Sequence, residues 1–198
     1  YVAIAALAQA GRNIKLVRLG ADYSQVEPPE LVELDACVVK VPFQPRERLP
    51  HYLALADLFV QPGRIDPFNA CRFPSKLPEF FAMGRPVVLP ATNVGLKIED
   101  GVEGLLLHRG DALDIAKRIE RVLDDPELAV RLATGARNFY ERELNWGKSA
   151  DCLLGFYRRI AATPVIAEER RALAPQHRPV RGPPRARMAA IAQHAVDE

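Results

Sequence analysis

The sequence predicts an α/β domain built on a parallel β-sheet with helices on both faces. Short apolar runs at 14–20, 37–41, 58–60 and 86–89 alternate with helix-forming segments, a rhythm typical of parallel sheets. The last run is apolar throughout, as expected of a strand buried on both faces. With 198 residues, 48% of them hydrophobic, the chain can bury a good core. In such sheets ligands bind at the carboxyl ends of the strands.

The first elements follow from local signals. Residues 2–10 are Ala-rich and predict a helix that Gly11 ends. Residues 14–20 alternate in polarity and break at Gly20, which predicts a strand. The next elements are a strand over 37–41, a helix over 49–56 and a strand over 58–60.

A short helix is predicted between Ser75 and Gly84. The Ser75 hydroxyl is a good N-cap, and Pro78 is tolerated only in the first turn, where its missing N–H has no intrahelical partner. Gly84 ends the helix, and a buried strand follows over 86–89. Three residues at helical spacing face the core together with Gly84: Leu77, Phe80 and Phe81.

Three further helices are indicated by their caps. Asp111 begins one that runs to residue 123, Asp125-Pro126 begins the next, and Asn145 begins the last. Trp146 is predicted to anchor the last helix in the core. The inward stripes of the first two helices are Ile115, Ala116, Ile119, Val122 and Leu123, then Leu128, Leu132, Ala136 and Phe139.

Composition divides the chain into a domain over 1–162 and a tail over 163–198. The tail is rich in Pro and Arg without a periodic apolar face, which predicts a mostly disordered segment. Its basic residues suit anionic lipid or acidic partners, although a solvated extension is the simpler explanation.

Charge and cysteine content exclude several classes. A formal net charge of +2 with 26% charged residues argues against a dedicated nucleic-acid binder, and no apolar run is long enough for a membrane span. Three scattered cysteines form neither a disulfide framework nor a metal pattern and fit a reducing cytoplasm. We therefore expect a cytoplasmic protein, with the inner face of the membrane as a further place of action. Because the chain opens on Tyr1, we expect a fragment cut at its N-terminus.

The start of the predicted helix at Ser75 carries the chemistry. Ser75 and Lys76 lie where free N–H groups, the helix dipole and a full positive charge favour an anion. Glu79 lies one turn along and off the apolar face, and a carboxylate suits the paired hydroxyl donors of a ribose. These features together suit a nucleoside diphosphate. The alternative is an ordinary surface cap with a first-turn glutamate that complements the dipole.

Three sequence pieces, in order, resemble a known family. They are YLALADLFVQP at 52–62, PSKLPEFFAMGRPVV at 74–88 and IEDGVEGLL at 98–106. Each is weak alone, but their order and spacing resemble the donor-binding domain of GT-B glycosyltransferases of the group 1 type, the retaining enzymes that use nucleotide sugars. The resemblance covers residues 53–104 and continues loosely to about residue 160. In this family the third piece forms a hairpin.

The resemblance implies a Rossmann-like, C-terminal half of a GT-B fold, truncated at its N-terminus. It implies that Lys76 stabilises the leaving diphosphate and that Glu79 holds the ribose, with Ser75 and Leu77 also in the donor site. Transfer would retain the anomeric configuration. No metal and no cofactor are implied, because protein cations meet the diphosphate charge and the nucleotide sugar is a co-substrate.

One loop departs from the usual family pattern. The first of two expected glutamates falls on Cys71, which cannot replace a carboxylate and reads as a small packing residue. Asn69 and Arg72, ahead of Pro74 and Lys76, resemble a variant found in some members. Two further residues have alternative explanations: Arg64, like Arg72, suits either phosphate or solvent, and Gly95 either admits the donor phosphates or only turns the chain.

Two functions from different classes follow. The first is a glycosyltransferase whose acceptor, a sugar, a lipid-linked glycan or a small molecule, is bound by a missing N-terminal domain, so that this chain alone is inactive. The second is a non-catalytic α/β module that binds a nucleotide or a protein partner, which the missing glutamate and the missing acceptor domain favour. No nucleic acid and no membrane span are expected in either case.

Overall fold

The computed structural model describes residues 1–20 and 34–162. The chain divides into two compact units, Tyr1–Asp151 and Cys152–Glu198. Most of the second unit, including the tail predicted over 163–198, lies outside the described residues. Among the described residues, no helix combines the length and the apolar character needed to cross a bilayer.

The first unit alternates strands and helices, as expected. The elements are α1 Val2–Gln9, β1 Leu16–Leu19, α2 Leu34–Cys37, β2 Val38–Val41, α3 Leu49–Leu53, β3 Phe59–Val60, α4 Pro67–Cys71, α5 Leu77–Ala82, β4 Val87–Pro90, β5 Leu105–Leu107, α6 Ala112–Asp124, α7 Pro126–Phe139 and α8 Trp146–Ala162, of which α8 continues into the second unit. Short 3₁₀ helices at Arg46–Arg48 and Asn93–Lys97, and a π-helical turn at Tyr140–Leu144, complete the list.

All described strand pairs are parallel. β1 pairs with β2, with Leu16 opposite Val38. A three-stranded sheet has the order β3-β4-β5, with Val60 opposite Val88 and Leu89 opposite Leu106. The α/β class with parallel sheets between helices is therefore confirmed.

β4 is the central strand and is buried along its whole length. Val87 and Leu89 pack on one face with α5 and the end of α7, where Phe81 and Phe139 meet with ring centroids 5.0 Å apart. Val88 packs on the other face with α6 and the start of α7. A third cluster joins α1 and α6 to apolar residues of β1 and β3. Helices thus cover both faces of the three-stranded sheet.

α5 ends where the sequence predicts. Gly84 has a φ of +59°, a left-handed conformation that glycine adopts without strain. The Arg137 Nη1 atom on α7 donates to the Ala82 carbonyl oxygen over 2.7 Å and satisfies part of the helix end. The start differs: α5 begins at Leu77 with Lys76 at the N-cap position, and no side chain caps it. Ser75 is not the N-cap, because the Leu77 N–H bonds the Pro74 carbonyl and closes a turn over Ser75 and Lys76.

Most other predicted caps are confirmed. The Asp111 carboxylate accepts a hydrogen bond from the Asp114 N–H over 2.8 Å and caps α6. The Asp125 carboxylate accepts one from the Leu128 N–H over 2.9 Å and caps α7. Asn145 caps α8 through the Gly147 N–H. Helix α3 is shorter than predicted and ends at Leu53.

Four side-chain or strand predictions are wrong. Leu123 is 42% exposed, because Ala116, Ile119 and Val122 already form the buried stripe of α6. Trp146 is 78% exposed and anchors no core, since no residue of α8 is buried. Cys37 ends α2 instead of beginning a strand. Residues 98–106 form no antiparallel hairpin, since Asp100 and Gly104 make only an isolated parallel bridge.

Asp114 organises the loop that follows β5. One of its oxygens, Oδ2, accepts backbone N–H bonds from His108, Arg109 and Gly110 over 2.9, 2.8 and 3.1 Å. Burial alone would raise the pKa of Asp114, but these three bonds, with the nearby Arg118 charge, outweigh it and lower the pKa. The carboxylate therefore holds this loop as long as it is ionised.

The same loop lies directly against the loop that follows β3. A Cβ on Gly110 would lie 2.0 Å from the Gly63 carbonyl oxygen, and Gly110 has a φ of +68°. Only glycine permits this approach without a shift of the backbone. The loops after β3 and β5 are thereby fixed side by side at the carboxyl edge of the sheet.

Asp114→Asn should lower the free energy of unfolding by about 1–3 kcal/mol near pH 7, the scale of hydrogen bonds to a charged group. Because the folded-state pKa lies below the ordinary aspartate value of about 3.9, the contribution is complete above that value and is lost as the pH falls through the folded-state pKa. Urea unfolding at about pH 7 and about pH 3 measures the difference, with the exposed Asp151→Asn as the control. An equal loss at both pH values would contradict the account.

Candidate functional site

A cleft opens at the carboxyl ends of β3 and β4. It is shallow and open to solvent, and its enclosed part has room for little more than about one water molecule. Gln61 directly follows β3, Pro90 ends β4, and α5 supplies the buried Leu77. The full lining is Gln61, Pro62, Asn69, Arg72, Pro74, Leu77, Leu89, Pro90, Thr92, Asn93 and Val94. The cleft therefore lies at the edge where the sequence predicted ligand binding.

The loop after β3 is shaped by Asp66. Its Oδ1 accepts from the Asn69 N–H over 2.7 Å and caps α4, while its Oδ2 accepts from the Asn69 Nδ2 over 2.9 Å. Asp66-Pro67 carries the same cap-and-proline signal as Asp125-Pro126, so α4 was predictable from the sequence. Further along, the Arg72 guanidinium lies over the Phe68 ring, 5.6 Å from its centroid.

The opposite wall is formed by the turn after β4. Asn93 has a φ of +51°, and its Nδ2 donates to the Ala70 carbonyl oxygen over 2.9 Å. This bond ties the end of α4 to the 3₁₀ helix Asn93–Lys97. Thr92, directly before it, is only 9% exposed. Gln61, Thr92 and Asn93 were not among the predicted site residues. Gln61 directly follows β3 and could have been found from its place at the strand end, whereas the position of the Asn93 side chain depends on its bond to Ala70.

Three of the predicted site residues line the cleft: Asn69, Arg72 and Leu77. Ser75, Lys76 and Glu79 lie exposed on the turn before α5 and on its first turn, beside the cleft lining but not part of it. Arg64 is exposed in the loop before α4. Gly95 is buried, and a Cβ there would lie 2.1 Å from the Pro90 carbonyl oxygen. In this structure Gly95 therefore allows its own turn to pack against β4.

The charged residues around the cleft are free to meet a ligand. Within residues 1–20 and 34–162, Arg64, Arg72 and Lys76 form no ion pair, and Glu79 forms neither an ion pair nor a side-chain hydrogen bond. Three cations without carboxylate partners favour an anionic group, and a free carboxylate favours hydroxyl donors. Cys71, where the family pattern expects a glutamate, does not line the cleft. It is exposed, so the prediction that it is a small packing residue is wrong.

Comparison with known proteins identifies the family. Residues 2–125 match the model of glycosyl transferases group 1. The chain is 30% identical over 162 residues to an alpha-D-kanosaminyltransferase from Streptomyces kanamyceticus, and this match covers 80% of the chain and 41% of the relative. It is 31% identical over 161 residues to a D-inositol 3-phosphate glycosyltransferase from Saccharomonospora viridis, and that match covers 76% of the chain and 36% of the relative.

Solved structures share the fold. Sucrose-phosphate synthase from Thermosynechococcus elongatus superposes with a TM-score of 0.65 at 24% identity, over 81% of this chain and 42% of that chain. HepE from Anabaena, in complex with UDP and glucose, gives a TM-score of 0.61 at 20% identity, over 82% and 44%. The chain spans about two fifths of the length of these proteins. The match to the family model over more than half of its residues shows that this chain belongs to the glycosyl transferases group 1 family.

Proposed function

We propose that this chain is the C-terminal, donor-binding domain of a GT-B glycosyltransferase. The observation that carries the proposal is the position of the cleft at the carboxyl ends of parallel strands. Beside it lie Lys76, at the N-cap position of α5, and Glu79, in the first turn of α5, neither of which forms an ion pair with another described residue. HepE, which shares the fold, has been solved with UDP and with UDP-glucose. These findings support a nucleoside-diphosphate sugar as the ligand.

In this proposal the cations bind the diphosphate. Lys76, with Ser75 and the N-terminus of α5, stabilises the negative charge that grows on the leaving diphosphate. Arg64 and Arg72, on the loop after β3, add positive charge next to the cleft. Protein cations meet the diphosphate charge, so the proposed mechanism uses no metal.

Glu79 binds the ribose in this proposal. Its carboxylate accepts hydrogen bonds only, which suits the 2′- and 3′-hydroxyl groups as donors. Leu77 is 1% exposed and gives the cleft an apolar floor. The base is left to backbone groups, so the side chains do not identify it. Gly95 remains a candidate for backbone approach to the donor phosphates.

The proposed reaction is glycosyl transfer with retention of the anomeric configuration. The bond between the anomeric carbon and the β-phosphate oxygen breaks, a bond to the acceptor oxygen forms, and the acceptor hydroxyl gives its proton to the leaving diphosphate. The acceptor, a sugar, a lipid-linked glycan or a small molecule, is bound by a second, N-terminal domain of a longer parent protein. Such a protein acts in polysaccharide or glycoconjugate synthesis in the cytoplasm, and this chain alone binds the donor without transferring it.

A non-catalytic nucleotide-binding module is the second candidate. One observation favours it: no carboxylate lines the described cleft, although the family pattern expects one for the sugar. The two candidates differ in how they treat the sugar. A module that retains only nucleotide binding would hold UDP and UDP-glucose with the same affinity, whereas a donor domain distinguishes them.

Glu79→Ala should weaken binding of the preferred nucleoside diphosphate among UDP, GDP and ADP by about 1–3 kcal/mol, the scale of lost charge-assisted hydrogen bonds. Calorimetric titration measures the affinity. The variant should also lose the preference for the ribonucleotide over its 2′-deoxy analogue, which a general change in structure would not produce. Glu127→Ala, at an exposed first-turn position of α7, is the matched control. An unchanged affinity in Glu79→Ala would remove Glu79 from the ribose site.

Lys76→Ala should weaken binding of the nucleoside diphosphate about 10- to 100-fold, the range that follows from losing a hydrogen bond to a charged group. Binding of the monophosphate should weaken much less, because Lys76 is proposed to contact the β-phosphate, which the monophosphate lacks. Titration of both nucleotides against the variant and against the exposed Lys117→Ala control measures the difference. Equal losses for the two nucleotides would contradict the assigned role.

A further inference from the structure

We propose that Asn69 and Asn93 form a pair of neutral amides whose Oδ1 atoms accept hydrogen bonds from hydroxyl groups of the glycosyl unit bound at the cleft. The inference rests on the proposed function for the identity of the ligand. Both residues line the cleft and are half-buried. Asn69 stands on α4, and Asn93 begins the 3₁₀ helix after β4.

The orientation of the Asn69 amide follows from its partner. A carboxylate can only accept hydrogen bonds, so the atom that lies 2.9 Å from the Asp66 Oδ2 is the amide nitrogen. The carbonyl Oδ1 therefore points away from Asp66. Its surroundings can be located from Gly63. A Cβ atom built on Gly63 would lie 3.9 Å from the Asn69 Oδ1 and 3.0 Å from the Pro90 Cγ, so the Asn69 carbonyl and Pro90 lie beside the same residue. Since Pro90 also lines the cleft, the Asn69 carbonyl lies at the cleft wall.

The orientation of the Asn93 amide is fixed in the same way. Its partner is the Ala70 carbonyl oxygen, which also only accepts, so the amide nitrogen is again the anchored end. The positive φ of Asn93 is a conformation that asparagine tolerates better than most residues. Within the described residues, neither asparagine Oδ1 accepts a hydrogen bond. Each amide thus keeps its oxygen available to a ligand.

Thr92 adds a third, independent observation. The residue is 9% exposed and lines the cleft, and its hydroxyl makes no hydrogen bond in the part of the chain that the structure describes. Since no buried side-chain oxygen or nitrogen of the described residues lacks a partner, the Thr92 hydroxyl oxygen is in contact with solvent and is accessible to a ligand. A hydroxyl both donates and accepts, so Thr92 can complete a network with a ligand that both donates and accepts.

The chemistry of the three residues defines the ligand class. Among the described lining residues, three carry side-chain amides, namely Gln61, Asn69 and Asn93, one carries a hydroxyl, Thr92, and Arg72 is the only charged residue. The Gln61 Nε2 donates to the Pro62 carbonyl oxygen at the rim. Hydroxyl groups of a sugar ring are the donors that such oxygens bind. The two asparagines thereby supply, without a negative charge, acceptors for the glycosyl part of the donor.

The test compares each sugar nucleotide with its own diphosphate. The affinities of the full 198-residue chain and of its variants Asn69→Ala and Asn93→Gly are measured for UDP-glucose and UDP, GDP-mannose and GDP, and ADP-glucose and ADP. Glycine at position 93 keeps the positive φ accessible, so this variant keeps the test valid even where Asn69→Ala alters α4. Asn138→Ala, exposed on α7, is the matched control.

Each variant should lose about 3- to 10-fold in affinity for the sugar nucleotide that the wild-type chain binds, the range expected of one neutral hydrogen bond. Its affinity for the matching diphosphate should change less than about 2-fold. Equal losses for both ligands, no loss for either, or a wild-type chain that binds both members of every pair equally well would overturn the inference. A wild-type chain that binds no member of any pair would instead overturn the proposed function.

Discussion

The layers of this domain follow from one buried strand, β4. Its Val87 and Leu89 face one cluster and its Val88 faces the other, so both faces of the sheet need helical cover. α5 and the end of α7 cover the first face, where Phe81 contacts Phe139, and α6 and the start of α7 cover the second. Because loops cannot run through such a core without leaving backbone groups unsatisfied, the connections gather at the strand ends. The cleft forms where the chain leaves β3 and β4.

Tertiary contacts then fix the loops that surround the cleft. The Asn93 amide ties the turn after β4 to the end of α4. Gly110 lies against the Gly63 carbonyl, and Asp114 holds the loop that contains Gly110 through three backbone N–H bonds. A site of this kind is preorganised, so less conformational entropy is lost when a ligand binds. The exposed cations and Glu79 stand outside this rigid frame, where a ligand can reach them.

The sequence predicts what local chemistry decides. Three local signals predicted an element correctly. They are the Asp125-Pro126 pair, Gly84 and the four-residue apolar stripe of α7. The predicted burial of Trp146 and Leu123 is wrong. Burial depends on which element packs against a residue, and the local sequence does not contain that information. The cleft shows the same limit. Leu77, Asn69 and Arg72 lie within or beside a recognisable segment, whereas the Asn93 side chain is held in the site by a bond to Ala70, 23 residues away in the sequence.

The central claim is that a nucleoside diphosphate binds at the carboxyl edge of this sheet, and amide chemical-shift mapping tests it most directly. UDP, GDP and ADP are titrated in turn into the ¹⁵N-labelled chain. The account predicts that one of them shifts amides that cluster around Gly63, Asn69, Lys76, Glu79 and Asn93, with little change along α1. Saturable shifts that cluster elsewhere, or no shifts with any of the three diphosphates, would contradict it.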